Sequence, residues 1–372
     1  MHCLKHYFDP EFDYTDLKPV EKNDGSVDYY NMGYVQSVII GQVLAQWEKP
    51  AEDGSCGLGL RHFAKRVLPR GPNTKVNPEN PDQLIATRNG YVYYNEDDLI
   101  TVKELLNVRG DVSISTGNIF FVGDMVVHGA IKSGLDVKAN NINVKGVIEQ
   151  ANVHAAGFLK CNGGIKGNSK GFVESKGTLR TSFSENATLV SSGNIIIDKN
   201  CMHTVVYSEG KFAVKGRFAG GKCYSDKIVF IGEQLGGGLS APSQVVVGYN
   251  PIILLQIDKI STQISILEDD IRKLQKIMSN GASTTAEFTQ KIEKCEMKIR
   301  FLRNKKKQLW GKIQQTERLE NCRIMIQGVV KPGVEISIGP AYMQVDEPLE
   351  NVFFYYENNE IKVGSPALKS YN

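Results

Sequence analysis

The chain of 372 residues lacks the features that mark several classes of protein. Its seven cysteines form no C-x-x-C pair, so neither a zinc knuckle nor a disulfide framework is indicated, and we expect reduced thiols. The most apolar early stretch, residues 35–45, is interrupted by polar residues and is too short to span a bilayer. The N-terminus resembles no secretory signal. Formal net charge is only +3, so the chain is not a polycation. We therefore expect a cytoplasmic protein with no transmembrane segment.

Proline is absent from residues 82–241, whereas 22 of the 36 glycines lie between Val108 and Gly248. Sequence of this kind is typical of many short strands joined by tight turns. Six blocks of 15–20 residues between Gly134 and Gly237 align with one another, and each contains two short runs of alternating apolar residues. One such block cannot bury its apolar face alone, but stacked blocks form a continuous core. The pattern predicts a parallel β-solenoid, with a globular β-sandwich as the alternative.

Two helical segments follow the repeats. Asn250-Pro251 is typical of a helix start, with an N-cap residue before a proline. Apolar residues then recur in steps of four and three, which is a heptad pattern. In the first helix they are Ile253, Ile257, Ile260, Ile264, Leu267, Ile271, Leu274 and Met278. In the second helix the positions are Phe288, Ile292, Cys295, Ile299, Leu302, Lys306, Leu309, Ile313 and Thr316. The short connection between them predicts an antiparallel coiled-coil hairpin, with Lys306 as the irregular position.

The β pattern returns after the helices, so the hairpin is predicted to be inserted into the solenoid. The final strands, near Val352–Tyr356 and Ile361–Val363, flank Asn358-Asn359 and predict a β-hairpin. Four regions result: a small N-terminal β domain (1–106), a β-solenoid (107–249), the coiled-coil hairpin (250–320), and a returning coil with a C-terminal hairpin (321–372). We expect the first domain to cover one end of the solenoid, because an uncovered end would expose a strand edge.

No motif indicates catalysis, a cofactor or a metal. Residues Gly216–Cys223 match the phosphate-binding pattern G-x-x-x-x-G-K, but Cys223 replaces the magnesium-binding hydroxyl and no helix is predicted to follow. His128, His154 and His203 fall near turns or strand ends, and we interpret them as surface or packing residues. A basic run in the second helix is more informative. Arg300, Arg303, Lys305 and Lys307 form either a solvated helix face or a docking site for an acidic partner or anionic surface.

Residues 107–129, NVRGDVSISTGNIFFVGDMVVHG, resemble the signature of the bacterial flagellar assembly protein A family. Residues 33–45, Arg88–Val92, Ser184–Ala187 and Val329–Gly339 resemble further parts of that family, so the likeness extends over roughly residues 28–365. The resemblance implies a right-handed β-helix with an inserted helical hairpin, in a bacterial cytoplasmic protein of flagellar assembly or cell-pole organisation. It supplies no active site.

We therefore interpret the chain as a non-enzymatic scaffold or adaptor that docks flagellar or polar protein partners and does not bind nucleic acid. Formation of a homo-oligomer is left open. Two alternatives remain. One is a regulator of a cytoskeletal filament, similar to the division-site inhibitors that have a short β-helix. The other is a solenoid acyltransferase, which would need a histidine in a groove between coils.

Overall fold

A computed structural model describes residues 2–21, 27–28, 30–50, 56–57, 59–237, 243–279, 285–313 and 319–365. The chain divides into two compact units, Met1–Leu189 and Val190–Asn372. The first unit contains the N-terminal domain and the first coils of the solenoid. The second contains further coils, two helices and the C-terminal strands. The prediction of a mostly β chain built on a solenoid is confirmed.

The described part of residues 2–103 forms antiparallel sheets. Its strands are β1 (His2–His6), β2 (Val20–Glu21), β3 (Val27–Asp28), β4 (Ser37–Val38), β5 (Val43–Glu48), β6 (Leu60–Phe63), β7 (Thr74–Asn77), β8 (Asn80–Ala86), β9 (Gly90–Tyr94) and β10 (Ile100–Lys103). One sheet has the strand order β6-β1-β5-β8-β7, another has β10-β9-β4, and β2 pairs with β3. The two larger sheets share an apolar core that includes Leu4, Leu44, Leu84, Val92 and Val102, because alternate residues of each strand point to one face.

This domain lies against the first coil of the solenoid. The Asn118 amide donates a hydrogen bond to the carbonyl oxygen of Tyr30 over 2.6 Å. Gly117 has a φ angle of 65°, and a Cβ atom at that position would lie 2.6 Å from the same oxygen. Glycine is therefore required for the close approach. The Ser37 hydroxyl adds a longer hydrogen bond, of 3.4 Å, to the carbonyl oxygen of Phe120.

The solenoid strands of the first unit pair in parallel with the strand two positions further along the chain. They are β11 (Leu105–Val108), β12 (Ile119–Phe120), β13 (Asp124–Val127), β14 (Asp136–Ala139), β15 (Ile142–Val144), β16 (Asn152–Ala155), β17 (Leu159–Cys161), β18 (Ile165–Ser175), β19 (Leu179–Thr181) and β20 (Ser184–Ser191), which contains the boundary between the units. Equivalent residues stack in register: Val137, Val153 and Val173 are aligned, and all three are fully buried.

A third column of contacts joins the same coils without forming a regular strand. Val112, Ile131, Ile148 and Ile165 make isolated parallel bridges from each coil to the next, and all four are fully buried. Each coil therefore has three inward faces, although only two alternating runs were predicted. In these first coils the third face contributes a single bridging residue, and in the second unit it contributes strands of two or three residues, which are too short to produce an alternating pattern.

The second unit continues the repeat and then interrupts it with helices. Its elements are β21 (Ile195–Ile197), β22 (Cys201–Met202), β23 (Val205–Ser208), β24 (Phe212–Val214), β25 (Arg217–Ala219), β26 (Lys222–Ser225), β27 (Ile228–Ile231), β28 (Gln234–Leu235), β29 (Gln244–Val247), α1 (Pro251–Ser279), α2 (Thr285–Ile313), a 3-10 turn (Leu319–Asn321), β30 (Arg323–Val330), β31 (Val334–Ile338), β32 (Ala341–Val345), β33 (Leu349–Glu357) and β34 (Glu360–Gly364).

The two helices are inserted within one coil of the second unit. β29 stacks in parallel on β26 and β30 stacks in parallel on β27, so β29 and β30 are successive strands of the same coil. The chain therefore leaves the solenoid after β29 and rejoins it at β30, and β31 then stacks on β29 to begin the next coil. Residues 280–284, which connect the helices, lie outside the described residues, as does the predicted seam residue Thr316.

Parallel stacking ends at the C-terminal strands. β32 pairs antiparallel with β31, β33 pairs antiparallel with β30, and β34 folds back on β33. Asn358 and Asn359 connect the last two strands with φ angles of 52° and 64°, which suits the tight hairpin turn that favours asparagine. These strands cover the last coil and leave it without an open parallel edge.

The expectation of reduced thiols is wrong for Cys3 and Cys56, which form a disulfide with their Cα atoms 5.5 Å apart. Cys3 lies on β1, which pairs antiparallel with β5, and the chain after β5 returns to bring Cys56 alongside. The sequence separation of 53 residues gave no indication of this contact. Five other cysteines are free, and Cys161, Cys201, Cys223 and Cys322 among them are buried.

Candidate functional site

The helical arm, defined here as α1 and α2, is attached to the solenoid by a capped helix start. The Asn250 side-chain oxygen accepts hydrogen bonds from the amides of Ile252 and Ile253, each over 3.0 Å. These bonds satisfy donors that have no partner within the helix. The Asn250 amide group donates a further bond of 3.1 Å to Glu209, which follows β23. The predicted cap therefore also connects α1 to the neighbouring coil.

Two stacked tyrosines support the first turns of α1. Tyr207 and Tyr224 occupy matching positions on β23 and β26, with ring centroids 4.9 Å apart and planes inclined by 11°. The Tyr207 hydroxyl donates a hydrogen bond of 2.6 Å to Asp258. Burial, followed by the Asp258 carboxylate, raises the pKa of Tyr207 far above its ordinary value. Burial and the same carboxylate raise the pKa of Tyr224 to about 12, so both rings stay neutral at physiological pH.

The two helices of the arm pack along the predicted apolar seam. The buried residues of this seam are Ile257, Ile260, Ile264, Ile299, Leu302, Leu309 and Ile313. Lys306, the irregular position, lies within the same face and is only partly buried. A lysine can occupy such a position because its methylene groups lie along the apolar surface while its ammonium group reaches water.

The basic run lies on the outward side of α2. Arg300, Arg303, Lys305 and Lys307 are all exposed. Arg303 forms an ion pair of 2.8 Å with Glu268 of α1, and Arg300 approaches Glu296 at 3.9 Å. Within the part of the chain that the structure describes, Lys305 and Lys307 form no ion pair. From Met297 to the end of α2 there are seven basic residues and no acidic ones, so Glu296 and Glu268 offset only part of the positive charge.

The Arg303–Glu268 ion pair joins this run to the middle of α1, which extends from Pro251 to Ser279.

Two exposed apolar side chains lie among these charges. Met297 is 60% exposed and Phe301 is 66% exposed. They are four residues apart and therefore share one face of α2, opposite the seam. Lysines and arginines are adjacent to them in sequence. The outward face of α2 thus combines positive charge with exposed apolar area. The sequence pattern indicated the charge but not the apolar area.

The other sequence candidates are not brought together. His128 is exposed, His154 lies 3.2 Å from Glu174, and His203 occupies a turn with a φ angle of 49°. The stretch resembling a phosphate-binding loop is followed by strand β26 and not by a helix. Burial raises the pKa of the Cys201 thiol to about 12, so little of the nucleophilic thiolate exists at neutral pH.

Within the described ranges, no three or more histidine, cysteine, aspartate or glutamate side chains are grouped so that they could hold a metal ion. Neither described helix is long and apolar enough to cross a membrane.

Two family models match the chain. Residues 104–361 match the Flagellar Assembly Protein A beta solenoid domain, and residues 5–97 match the Flagellar Assembly Protein A N-terminal region. The first match alone covers more than half of the 372 residues. Comparison with curated proteins and with solved structures gives no significant match.

Proposed function

Because this chain belongs to the Flagellar Assembly Protein A family, we propose that it is a non-enzymatic scaffold whose helical arm docks protein partners during flagellar assembly. The observation that carries the proposal is the exposed face of α2, where Lys305 and Lys307, which form no ion pair among the described residues, follow the exposed side chains of Met297 and Phe301. An acidic surface with an apolar centre would complement that face, since opposite charges steer association and apolar contact then stabilises the complex. The protein would act in the cytoplasm, at or near the cell pole.

The attachment of the arm supports a scaffolding role. Asp258 near the start of α1 bonds to Tyr207, and Asn250 bonds to Glu209, so two contacts hold the base of the helix on the solenoid. A partner bound to the arm would therefore be held in a defined position relative to the adjoining coils. A freely hinged arm would lose more conformational entropy on binding.

The proposal includes two finer features of the architecture. The heptad seam and the Glu268–Arg303 pair support an antiparallel coiled coil. The parallel strands and short connections of the coils support a right-handed solenoid, because crossovers between parallel strands are right-handed with few exceptions.

The charge-reversal variant Lys305→Glu/Lys307→Glu tests the proposal in the full-length protein. Both lysines are exposed and form no ion pair among the described residues, so the substitutions leave the apolar seam intact. Cells lacking the gene would be complemented with wild type, with this variant, or with Lys145→Glu/Lys160→Glu, which places the same charges on exposed coil positions. We expect the wild type and the coil variant to restore swimming, and the arm variant to fail while accumulating to the same level.

Capture experiments identify the reason for that failure. Immobilised wild type and the coil variant should retain flagellar components that the arm variant does not retain. Equal capture by all three proteins, with equal swimming, would exclude the arm as the docking site. Normal swimming of cells that lack the protein altogether would exclude the role in flagellar assembly itself.

A further inference from the structure

A groove opens between the N-terminal domain and the first coils of the solenoid, within the first unit. Its volume is about 770 Å³, which lies in the range of sites for small molecules. The N-terminal domain contributes Asp9, Pro10, Phe12, Tyr14, residues 34–36, residues 91–94 of β9 and Lys103, and the first coils contribute Leu106, Asn107, Arg109 and His128. The docking face of α2 is not part of this groove, whereas Asn107, Arg109 and His128 lie within the 107–129 stretch that carries the family resemblance.

Tyrosine rings form much of its surface. Val92 points into the domain core, so Tyr91 and Tyr93 on either side of it point outward from β9. Their ring centroids are 5.4 Å apart and their planes are inclined by only 30°, so the two rings stack on each other, and this stacked pair is called the aromatic platform here. Tyr14 and Tyr34 contact each other edge to face, with centroids 6.0 Å apart, and also line the groove. Tyr14 is 53% exposed.

Positive charge lies beside this platform. Lys103 stands directly opposite Tyr91 in the antiparallel pair of β10 and β9. Arg109 and His128 follow β11 and β13, whose residues Val108 and Val127 are paired in register, so they occupy matching outward positions on successive coils. Among the described residues, neither Lys103 nor Arg109 forms an ion pair. Asp9 is the acidic residue that lines the groove.

This combination favours a ligand with a planar ring and a negative group. Bases stack favourably on aromatic side chains, and guanidinium and ammonium groups bind phosphate through charge-assisted hydrogen bonds. Gln36 and Asn107 add amide groups that can bond to a base edge. A wholly apolar ligand would leave the charges unpaired, and inorganic phosphate would leave the platform uncovered. A proline-rich peptide would use the tyrosines without the cations.

We infer that the groove binds a nucleotide, with its base on the Tyr91–Tyr93 platform and its phosphate at Lys103 and Arg109. Isothermal titration calorimetry on the full-length protein tests this with ATP, ADP, AMP and GTP. Adenosine and inorganic phosphate serve as the separate halves of the ligand, and a proline-rich peptide serves as the competing class. At least one nucleotide should bind more tightly than adenosine or phosphate, because it makes both sets of contacts.

Two variants locate the binding. Tyr91→Ala/Tyr93→Ala and Lys103→Ala/Arg109→Ala should each weaken nucleotide binding by about tenfold or more. Tyr342→Ala and Lys160→Ala remove an exposed ring and an exposed cation elsewhere, and should bind as the wild type does. The charge variant removes only exposed side chains, so it remains informative if the tyrosine variant fails to fold.

Three results would overturn the inference. The first is that no nucleotide binds at millimolar concentration. The second is that phosphate binds as tightly as the nucleotides and the tyrosine variant has no effect, which would leave an anion site only. The third is that the proline-rich peptide binds and the nucleotides do not.

Discussion

At the scale of single residues, the most informative side chain outside the arm is His6. Its Nε2 atom lies 2.7 Å from the Tyr94 hydroxyl, and its Nδ1 atom is buried without a hydrogen-bond partner among the described residues. Burial, with a smaller effect from the Arg61 guanidinium, lowers the pKa of His6 to about 4. The folded domain therefore holds this imidazole in its neutral form, whereas the unfolded chain protonates it near pH 6.5.

The pKa difference at His6 predicts acid sensitivity of the N-terminal domain. Between pH 6.5 and about 4 the unfolded chain binds more protons than the folded one, so the free energy of unfolding falls as pH falls through that interval. Trp47 lies in the domain core, and its fluorescence in a Trp310→Phe background reports unfolding there. His6→Gln should flatten the dependence on pH, whereas the exposed control His62→Gln should retain it. Identical pH profiles for all three proteins would contradict this account.

Residue-scale features were the least predictable from sequence. The tyrosines of the groove lie between positions 14 and 94, and only the folding of β9 against the segment near Tyr34 brings them together. Cys3 and Cys56 meet for a similar reason. The residues that form each contact are far apart in the sequence, so no pattern among neighbouring residues could predict it. The basic run of α2 was found because all its members lie on one helix.

At the scale of elements, the apolar seam of the arm contains one polar residue, Lys306. Lys306 lies between Leu302 and Leu309 on the face that packs against α1. Lys306→Leu should stabilise the helices by about 1 kcal/mol, because it buries additional apolar area at a seam position. Thermal unfolding followed by circular dichroism at the helical band measures the change. Lys305→Leu places the same side chain on the exposed face and should produce no comparable gain; equal gains would show that the seam position has no special effect.

Elements with strict periodicity were the easiest to predict. The heptads of α1 and the cap at Asn250 predicted a helix start that the structure places at Pro251. Two of the three faces of each coil were predicted, because they appear in the sequence as runs of alternating apolar residues. The column through Val112, Ile131 and Ile148 was missed, since one buried residue per coil has no period of its own within the coil.

At the scale of the whole chain, the sequence separates charge by region. Residues 1–107 contain 11 basic and 16 acidic residues, whereas residues 252–320 contain 14 basic and 9 acidic residues. The near-zero total thus conceals a positive arm and a negative N-terminal region. This separation makes a single net charge a poor guide to partners.

The attachment of the arm to the solenoid gives a testable consequence at this scale. Tyr207→Phe removes the hydroxyl that bonds to Asp258 and keeps the stacked ring. A hydrogen bond to a charged group contributes about 1.5–3 kcal/mol, so amides in the first turns of α1 should exchange with solvent about tenfold faster. Tyr342→Phe, at an exposed position, is the matched control. Unchanged exchange in both variants would mean that the tyrosine does not hold the helix.

The exit and return of the chain within one coil have a consequence for variation among relatives. Residues added in equal number to α1 and α2 would not shift the pairing of β29 with β31, because both ends of the insert remain where they are. Seven residues in each helix preserve the seam and extend its tip by about 10 Å. The reach of the protein can therefore change in discrete steps during evolution while the repeat that carries it stays intact.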